Sequence, residues 1–312
     1  MTVAFVFPGQ GSQSVGMLKD LSDHHPEVAA TFASASAILG YDLWQLAAQG
    51  PAERLALTEV TQPLMLVAGV ATWRVWQRRG GATPTWVAGH SLGEFTALVA
   101  AGALNFDDAV DLVRFRGEVM RDAVPNGEGG MAAVLGLDDE TLAAACAEAA
   151  QGEVVEPVNF NGPGQVVIAG HRTALSRAIE VAKARGAKRA LPLPISVPCH
   201  SSLMQPAALQ LRERLQHSTI VAPQLRFMSS VDAREYVEPE SIRDLLFRQL
   251  ASPVRWVDTV RQLTTLGVTQ FVECGPGKVL AGLVRRIDKN PELAVTALET
   301  IESIDAAVGA AR

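Results

Sequence analysis

Thr85-Trp-Val-Ala-Gly-His-Ser-Leu-Gly-Glu94 decides the fold. Residues 85–88 have the length and hydropathy of a buried strand, and the Ala- and Leu-rich stretch 92–104 reads as a helix. The join between them, Gly89-His-Ser-Leu-Gly93, is a Gly-x-Ser-x-Gly turn. A strand that runs through such a turn straight into a helix is the setting of a nucleophile elbow. Glycines on either side let helix and strand approach, and Ser91 is left at the helix amino terminus, where free N–H groups favour developing negative charge. Without that setting the same residues are an ordinary Gly-Ser turn.

Outward from the elbow, strand-length apolar runs alternate with helix-period runs, the pattern of a parallel sheet covered by helices. Residues 2–7 form the first strand, closed by the loop Pro8-Gly-Gln-Gly-Ser-Gln13, and helices fill much of 26–77. Between about 126 and 195 the rhythm changes to strand (131–135), helix (138–149), two strands (154–159 and 165–169), helix (173–185) and strand (189–193). That order is a β-α-β-β-α-β unit of ferredoxin-like type. The fold expected is therefore α/β, a hydrolase-like parallel-sheet domain over 1–124 and 196–312, interrupted by a small ferredoxin-like domain over 125–195. The Ala-rich tail after Leu298 is expected to be loosely ordered.

Composition narrows the function. The 312 residues are 48% hydrophobic and 19% charged, enough for a large core. With 27 Lys and Arg against 33 Asp and Glu the net charge is −6, and aromatics are only 5%, so no nucleic-acid partner is expected. No apolar run reaches the roughly 18 residues of a membrane span, no secretory signal is visible, and a cytoplasmic location is expected. Cys146, Cys199 and Cys274 are an odd, widely spaced set, which argues against a disulfide framework and a structural zinc site, so no metal is expected.

A serine nucleophile needs a base, and there are six histidines. His24, His25 and His217 lie in polar stretches, His90 is inside the elbow, and His171 follows the hairpin of the insertion. His200, in Pro198-Cys-His-Ser-Ser202 where the chain re-enters the large domain, is the best-placed base. Hydrolases of the usual order carry Ser, acid and His with the His near the carboxyl end, whereas more than 100 residues follow His200. No convincing third acid appears, and a backbone carbonyl can orient the ring instead. In the helix predicted over 106–120 the apolar stripe runs Ala109, Leu112, Val113, Arg116 and Met120, so Arg116 points with the core. A buried guanidinium needs an anion: one of the chain's own acids, or a substrate carboxylate if the serine lies close. The glycines of the 9–14 and 275–278 loops lack the spacing of a nucleotide-binding loop.

Together these segments resemble the malonyl-CoA:acyl-carrier-protein transacylases of bacterial fatty acid synthesis over nearly the whole length. The matching pieces are Phe5 to Gln13, Thr61-Gln-Pro63, Gly89 to Glu94, Arg116-Gly117, Gly130-Met-Ala-Ala133, Asn159-x-Asn161-x-Pro163-x-Gln165, Val197-Pro-Cys-His200, Ser252-Pro-Val254 and Gly275-Pro-Gly-Lys-Val279. The resemblance implies Ser91 as nucleophile, His200 as general base and acid, and an oxyanion hole from the backbone N–H groups of Gln10 and Leu92. It implies Arg116 as the ligand of a malonyl carboxylate and the carbonyl of Gln249 as the group that orients His200. Gln62, Asn161 and Gln165 become pocket-lining positions. The implied reaction is a ping-pong transfer of malonyl from CoA to the phosphopantetheine thiol of acyl carrier protein, with the CoA thioester a substrate and no cofactor. A monomer is expected. Lys188, Arg189, Arg285 and Arg286 are candidates for docking an acidic carrier protein. Cys199 stands where many relatives have Ser. A serine thioesterase or esterase, a non-catalytic carrier-protein module, and a transferase serving a polyketide carrier are the competing readings.

Overall fold

A computed structural model describes residues 2–310. Two sheets organise the chain. The larger has the order β10-β9-β1-β2-β7-β8, built from Val3–Phe7 (β1), Trp86–Gly89 (β2), Arg226–Met228 (β7), Glu235–Tyr236 (β8), Gln270–Glu273 (β9) and Ala294–Ala297 (β10). Every neighbouring pair is parallel except the short β7–β8 edge. Helices cover both faces, so the central strands are apolar throughout instead of alternating: Ala4 to Phe7 and Trp86 to Ala88 are all buried. One face packs Phe5 and Phe7 against the long helix Thr58–Arg78, and the other packs Val6 and Trp86 with Trp256 and Phe271.

The smaller sheet is antiparallel, in the order β4-β5-β3-β6, from Gly129–Leu135 (β3), Val155–Gly162 (β4), Gln165–His171 (β5) and Arg189–Pro192 (β6). Helices Asp139–Ala150 and Arg172–Ala184 close one face over a separate core of Val134, Leu142, Ile168 and Ile179. This is the predicted ferredoxin-like order. Its strand β4 is tied to the large sheet's side by backbone bonds from Phe160 to Val254 (2.9 Å) and from Val254 to Val158 (2.8 Å).

Two expectations differ from the structure. The elbow helix spans Gly93–Ala100 and does not reach 104, because Gly102 turns at φ 71° and Leu104 bridges to Ile220. The tail is not loose across 301–310: Ile301–Ala310 is a helix that buries Ile304, Ala307 and Val308, a spacing of three and four that places them on one face. The last two residues of that expectation, 311 and 312, lie outside the described residues. Among the described residues no helix is long and apolar enough to cross a membrane.

Candidate active site

The elbow is built by close approach. A Cβ on Gly89 would lie 1.9 Å from the carbonyl carbon of Gly93, and one on Gly93 would lie 2.0 Å from the carbonyl oxygen of Phe7. Only glycine permits the helix to start this tightly over β1 and β2. Between them Ser91 sits at φ 52°, in the left-handed region that side chains avoid at a cost of about 1–3 kcal/mol. Helix packing holds it there, with the hydroxyl above the carboxyl ends of β1 and β2, where open parallel sheets place their ligands.

Ser91 Oγ lies 2.7 Å from His200 Nε2. His200, also at a left-handed φ (66°), is buried, and its Nδ1 lies 3.0 Å from the carbonyl of Gln249 and 3.1 Å from that of Ser252. Two acceptors at Nδ1 place the ring proton there, so Nε2 carries the lone pair and accepts from the serine hydroxyl. No carboxylate bonds to the ring among the described residues. Burial first, and then the positive charge of Arg116, push the imidazole down to about 3, so it is neutral at pH 7.

Arg116, 1% exposed, projects from the helix Phe106–Asp122 into the same space. Its Nη1 donates to Gln62 Oε1 (2.6 Å) and its Nη2 to Gln249 Oε1 (3.0 Å) and, at 3.4 Å, to Ser91 Oγ. Its Nε has no hydrogen-bond partner among the described residues. Burial lowers the guanidinium to about 10, which leaves it charged at neutral pH. Among the described residues no acid pairs with it directly, so its alternative explanation, a direct internal ion pair, is absent, and the cation faces the serine with the buried Glu94 one glutamine away.

The amides of Gln10 and Leu92 donate no hydrogen bond among the described residues. Gly9 brings the first loop against the elbow, with its hypothetical Cβ 2.6 Å from the carbonyl of His90, so both free amides border the serine's space. That space is a chamber of about 50 Å³ lined by Gln10, Ser91, Leu92, Arg116, His200 and Cys199 among others. Through Met131, Asn159 and Ile195 it shares walls with an outer groove of about 380 Å³. Burial pushes the Cys199 thiol up to about 11, so it behaves as a small apolar wall.

The other predicted positions divide. Gln62 is buried in the chamber, held between Arg116 and Met120 Sδ (3.3 Å). Asn161 lines the outer groove and its Oδ1 accepts from His90 Nε2 at 2.8 Å, joining the small sheet to the elbow. Gln165 lines neither space; it bonds to Arg286 at the tip of the β4–β5 hairpin. Lys188, Arg189, Arg285 and Arg286 are all exposed. Strand register sets Gln165, Leu135 and Arg189 in one row across the small sheet, so Lys188, Arg189 and Arg286 share one end of it. Arg285 instead turns to the carbonyl of Val295 (2.6 Å).

Several groups escaped sequence reasoning. The Ser252 carbonyl is a second acceptor for His200, and backbone acceptors leave no sequence signal. The Gln249 side chain, beyond its carbonyl, holds Arg116. Asn159 turns an unpartnered Oδ1 among the chamber walls. Glu94 has no exposed surface although it sits in an apolar helix, the signal that singled out Arg116.

Known proteins are similar to this chain over nearly its whole length. The acyl transferase domain family matches residues 4–301. The malonyl CoA-acyl carrier protein transacylase of Salmonella typhimurium is 57% identical over 284 residues, 91% of this chain and 92% of that protein. Its namesake in Bacillus subtilis is 46% identical over 302 residues, 96% of this chain and 95% of that one. The solved malonyl CoA-acyl carrier protein transacylase of Coxiella burnetii superposes with a TM-score of 0.97 at 47% identity, covering 99% of this chain and 97% of that chain. A malonyl-transacylase solved in complex with a type II PKS acyl-carrier protein superposes equally well, TM-score 0.97, at 51% identity over 99% and 100% of the two chains. With its parallel sheet, its serine elbow and its near full-length similarity to these proteins, the chain belongs to the acyl transferase domain family.

Proposed function

We propose that this protein moves a malonyl group from malonyl-CoA to the phosphopantetheine thiol of acyl carrier protein through a malonyl ester on Ser91, supplying malonyl-carrier for fatty acid elongation. One observation carries the reading: Arg116, charged and with no carboxylate bonded to it among the described residues, sets its Nη2 3.4 Å from Ser91 Oγ in a chamber of about 50 Å³. A malonyl carboxylate offers the anion that the planar guanidinium fork fits. An acetyl group leaves that charge unmatched.

The steps follow from the geometry. Ser91 gives its proton to His200 Nε2 as Oγ attacks the thioester carbonyl. The new oxyanion lies towards the Gln10 and Leu92 amides, fixed donors that need no reorganisation. The carboxylate on Arg116 also offsets the charge that depresses His200, so the imidazolium forms more readily with substrate bound. When the tetrahedral species collapses, the C–S bond breaks and His200 returns the proton to the CoA thiolate. The carrier thiol then runs the sequence backwards: it loses its proton to His200, attacks the ester carbonyl, and releases Ser91 with its hydroxyl restored. No redox change occurs and every proton is carried by His200, so the proposal includes no cofactor. Carrier docking is assigned to the Lys188, Arg189 and Arg286 end of the small sheet, with Arg285 beside it. A cytoplasmic location is part of the same reading, supported by three buried cysteines that are all free thiols.

Arg116→Ala tests the reading directly. Acylation of Ser91 from malonyl-CoA is expected to fall by about 10²-fold or more, on the order of a lost buried charge pair, with acetyl-CoA acylation much less affected. Equal losses for both thioesters in single-turnover kinetics contradict it.

A further inference from the structure

Behind the chamber lies a carboxylate that the reaction above does not use. Glu94 is fully buried and does not line the chamber. Its Oε1 accepts from the amide and the hydroxyl of Ser230, and its Oε2 accepts from Gln249 Nε2. The same Nε2 donates to the carbonyl of Ser91 at 3.0 Å. Gln249 Oε1 is thereby left to accept from Arg116 Nη2 at 3.0 Å, and its backbone carbonyl accepts from His200 Nδ1 at 3.0 Å. One glutamine thus touches the serine backbone, the base and the cation.

A primary amide has one donating and one accepting end. Arg116 can only donate, so Gln249 must turn its oxygen that way, and its NH2 must then find an acceptor in a site closed to water. Glu94 Oε2 is that acceptor: burial pushes the Glu94 carboxyl up, and the donors from Ser230 and Gln249 hold it back towards the charged, accepting form. We propose that Glu94 is a positioning residue that fixes which way the Gln249 amide points, and through it aims Arg116 Nη2 at the chamber, so that the preference for a carboxylate-bearing acyl group depends on Glu94. The Coulombic field of Glu94 on Arg116 is in the supporting direction, favouring the charged guanidinium. The inference rests on the role given to Arg116 in the proposed function.

Glu94→Gln is nearly isosteric and separates charge from shape. With its oxygen kept on the Ser230 amide, the substituted side chain presents an NH2 to the NH2 of Gln249. Either the two donors clash, or Gln249 turns over and sets its NH2 against the guanidinium. In the second arrangement Arg116 loses an acceptor, in the first the amide that aims Arg116 is pushed out of place, and in both the backbone carbonyl that orients His200 is kept.

Ser91 acylation by malonyl-CoA and by acetyl-CoA, timed by intact-protein mass spectrometry alongside melting curves, tests this on wild type, Glu94→Gln, Glu94→Asp and Gln249→Met. Glu94→Gln is expected to lose about tenfold or more of its malonyl rate, with less than about a threefold change for acetyl. Glu94→Asp, which keeps the charge, is expected to retain more of the preference. A merely structural glutamate would slow both thioesters alike, and an unchanged malonyl-to-acetyl ratio in a folded Glu94→Gln overturns the proposal. If Glu94→Gln does not fold, Gln249→Met carries the test: it removes the amide and keeps the carbonyl, and an undiminished malonyl preference there overturns the proposal equally. A wild-type enzyme without malonyl preference refutes the role of Arg116 itself, an outcome distinct from either.

Discussion

The proposed base His200 has only backbone carbonyls at its Nδ1 among the described residues, and its protonation has a consequence that can be measured. Burial and Arg116 hold its pKa at about 3 against an ordinary 6.5, so the folded state binds its proton less readily than the unfolded chain. Between about pH 3 and 6.5 the unfolded chain therefore carries more protons, and stability from this group, complete above 6.5, drains away as the pH falls towards 3. For the free enzyme the proposed base stays neutral over the same interval. The acylation rate at low malonyl-CoA is expected to change less than about threefold between about pH 7.5 and 5.5, and a stopped-time titration showing a limb near 6.5 would contradict a depressed His200. Ser91, His200 and Arg116 were legible in the sequence because each broke a local rule: a serine between forced glycines, a histidine at a domain re-entry, a cation in an apolar stripe. The Gln249 and Ser252 carbonyls were not, since any residue supplies one; Gln249 was reached through resemblance alone. Glu94 breaks the same rule as Arg116, but its signal is masked because it ends the motif that Ser91 already explains.

At the scale of elements, the elbow depends on three backbones meeting where side chains cannot fit. Gly93→Ala sets a methyl 2.0 Å from the Phe7 carbonyl oxygen, which forces helix and β1 apart, and a loss of about 3 kcal/mol or more is expected in urea melts. Gly282→Ala, in the helix Val279–Ile287, meets nothing within 4 Å and is expected to gain roughly 0.5–1 kcal/mol from helix propensity. Equal effects at the two positions would show that close approach does not hold the turn. The strands β1 and β2 and all four strands of the small sheet were legible as apolar or alternating runs. The strands of the carboxyl-terminal half were harder to see: β7 is three residues long and β8 two, too short for periodicity to declare itself. The closing helix was hidden by its alanines, although Ile304, Ala307 and Val308 already carry the helical spacing.

Across the whole molecule, a net charge of −6 has to coexist with docking of the acidic carrier protein proposed as partner, which calls for local positive surface. Lys188, Arg189 and Arg286 gather at one end of the small sheet, and Arg286 lies one helical turn beyond Leu283 on the groove wall. Arg285 is occupied with a backbone carbonyl and contributes less to that face. Reversing Lys188, Arg189 and Arg286 to Glu together is expected to raise the KM for carrier protein about tenfold or more at low salt while acylation by malonyl-CoA is nearly unchanged. Steady-state kinetics with each substrate varied separate the two, and unaltered carrier kinetics would move the docking face elsewhere. The two-sheet plan was legible from the change of rhythm near residue 126, whereas the grouping of three of the four cations depends on strand register, which only the folded chain displays. The proposed transfer depends on a malonyl ester on Ser91. Intact-protein mass spectrometry after brief exposure to malonyl-CoA, with acetyl-CoA and Ser91→Ala in parallel, tests it most directly. The predicted result is a malonyl adduct that needs Ser91, far exceeds the acetyl adduct and disappears on adding carrier protein; CoA release without any adduct, independent of an acceptor thiol, would contradict it.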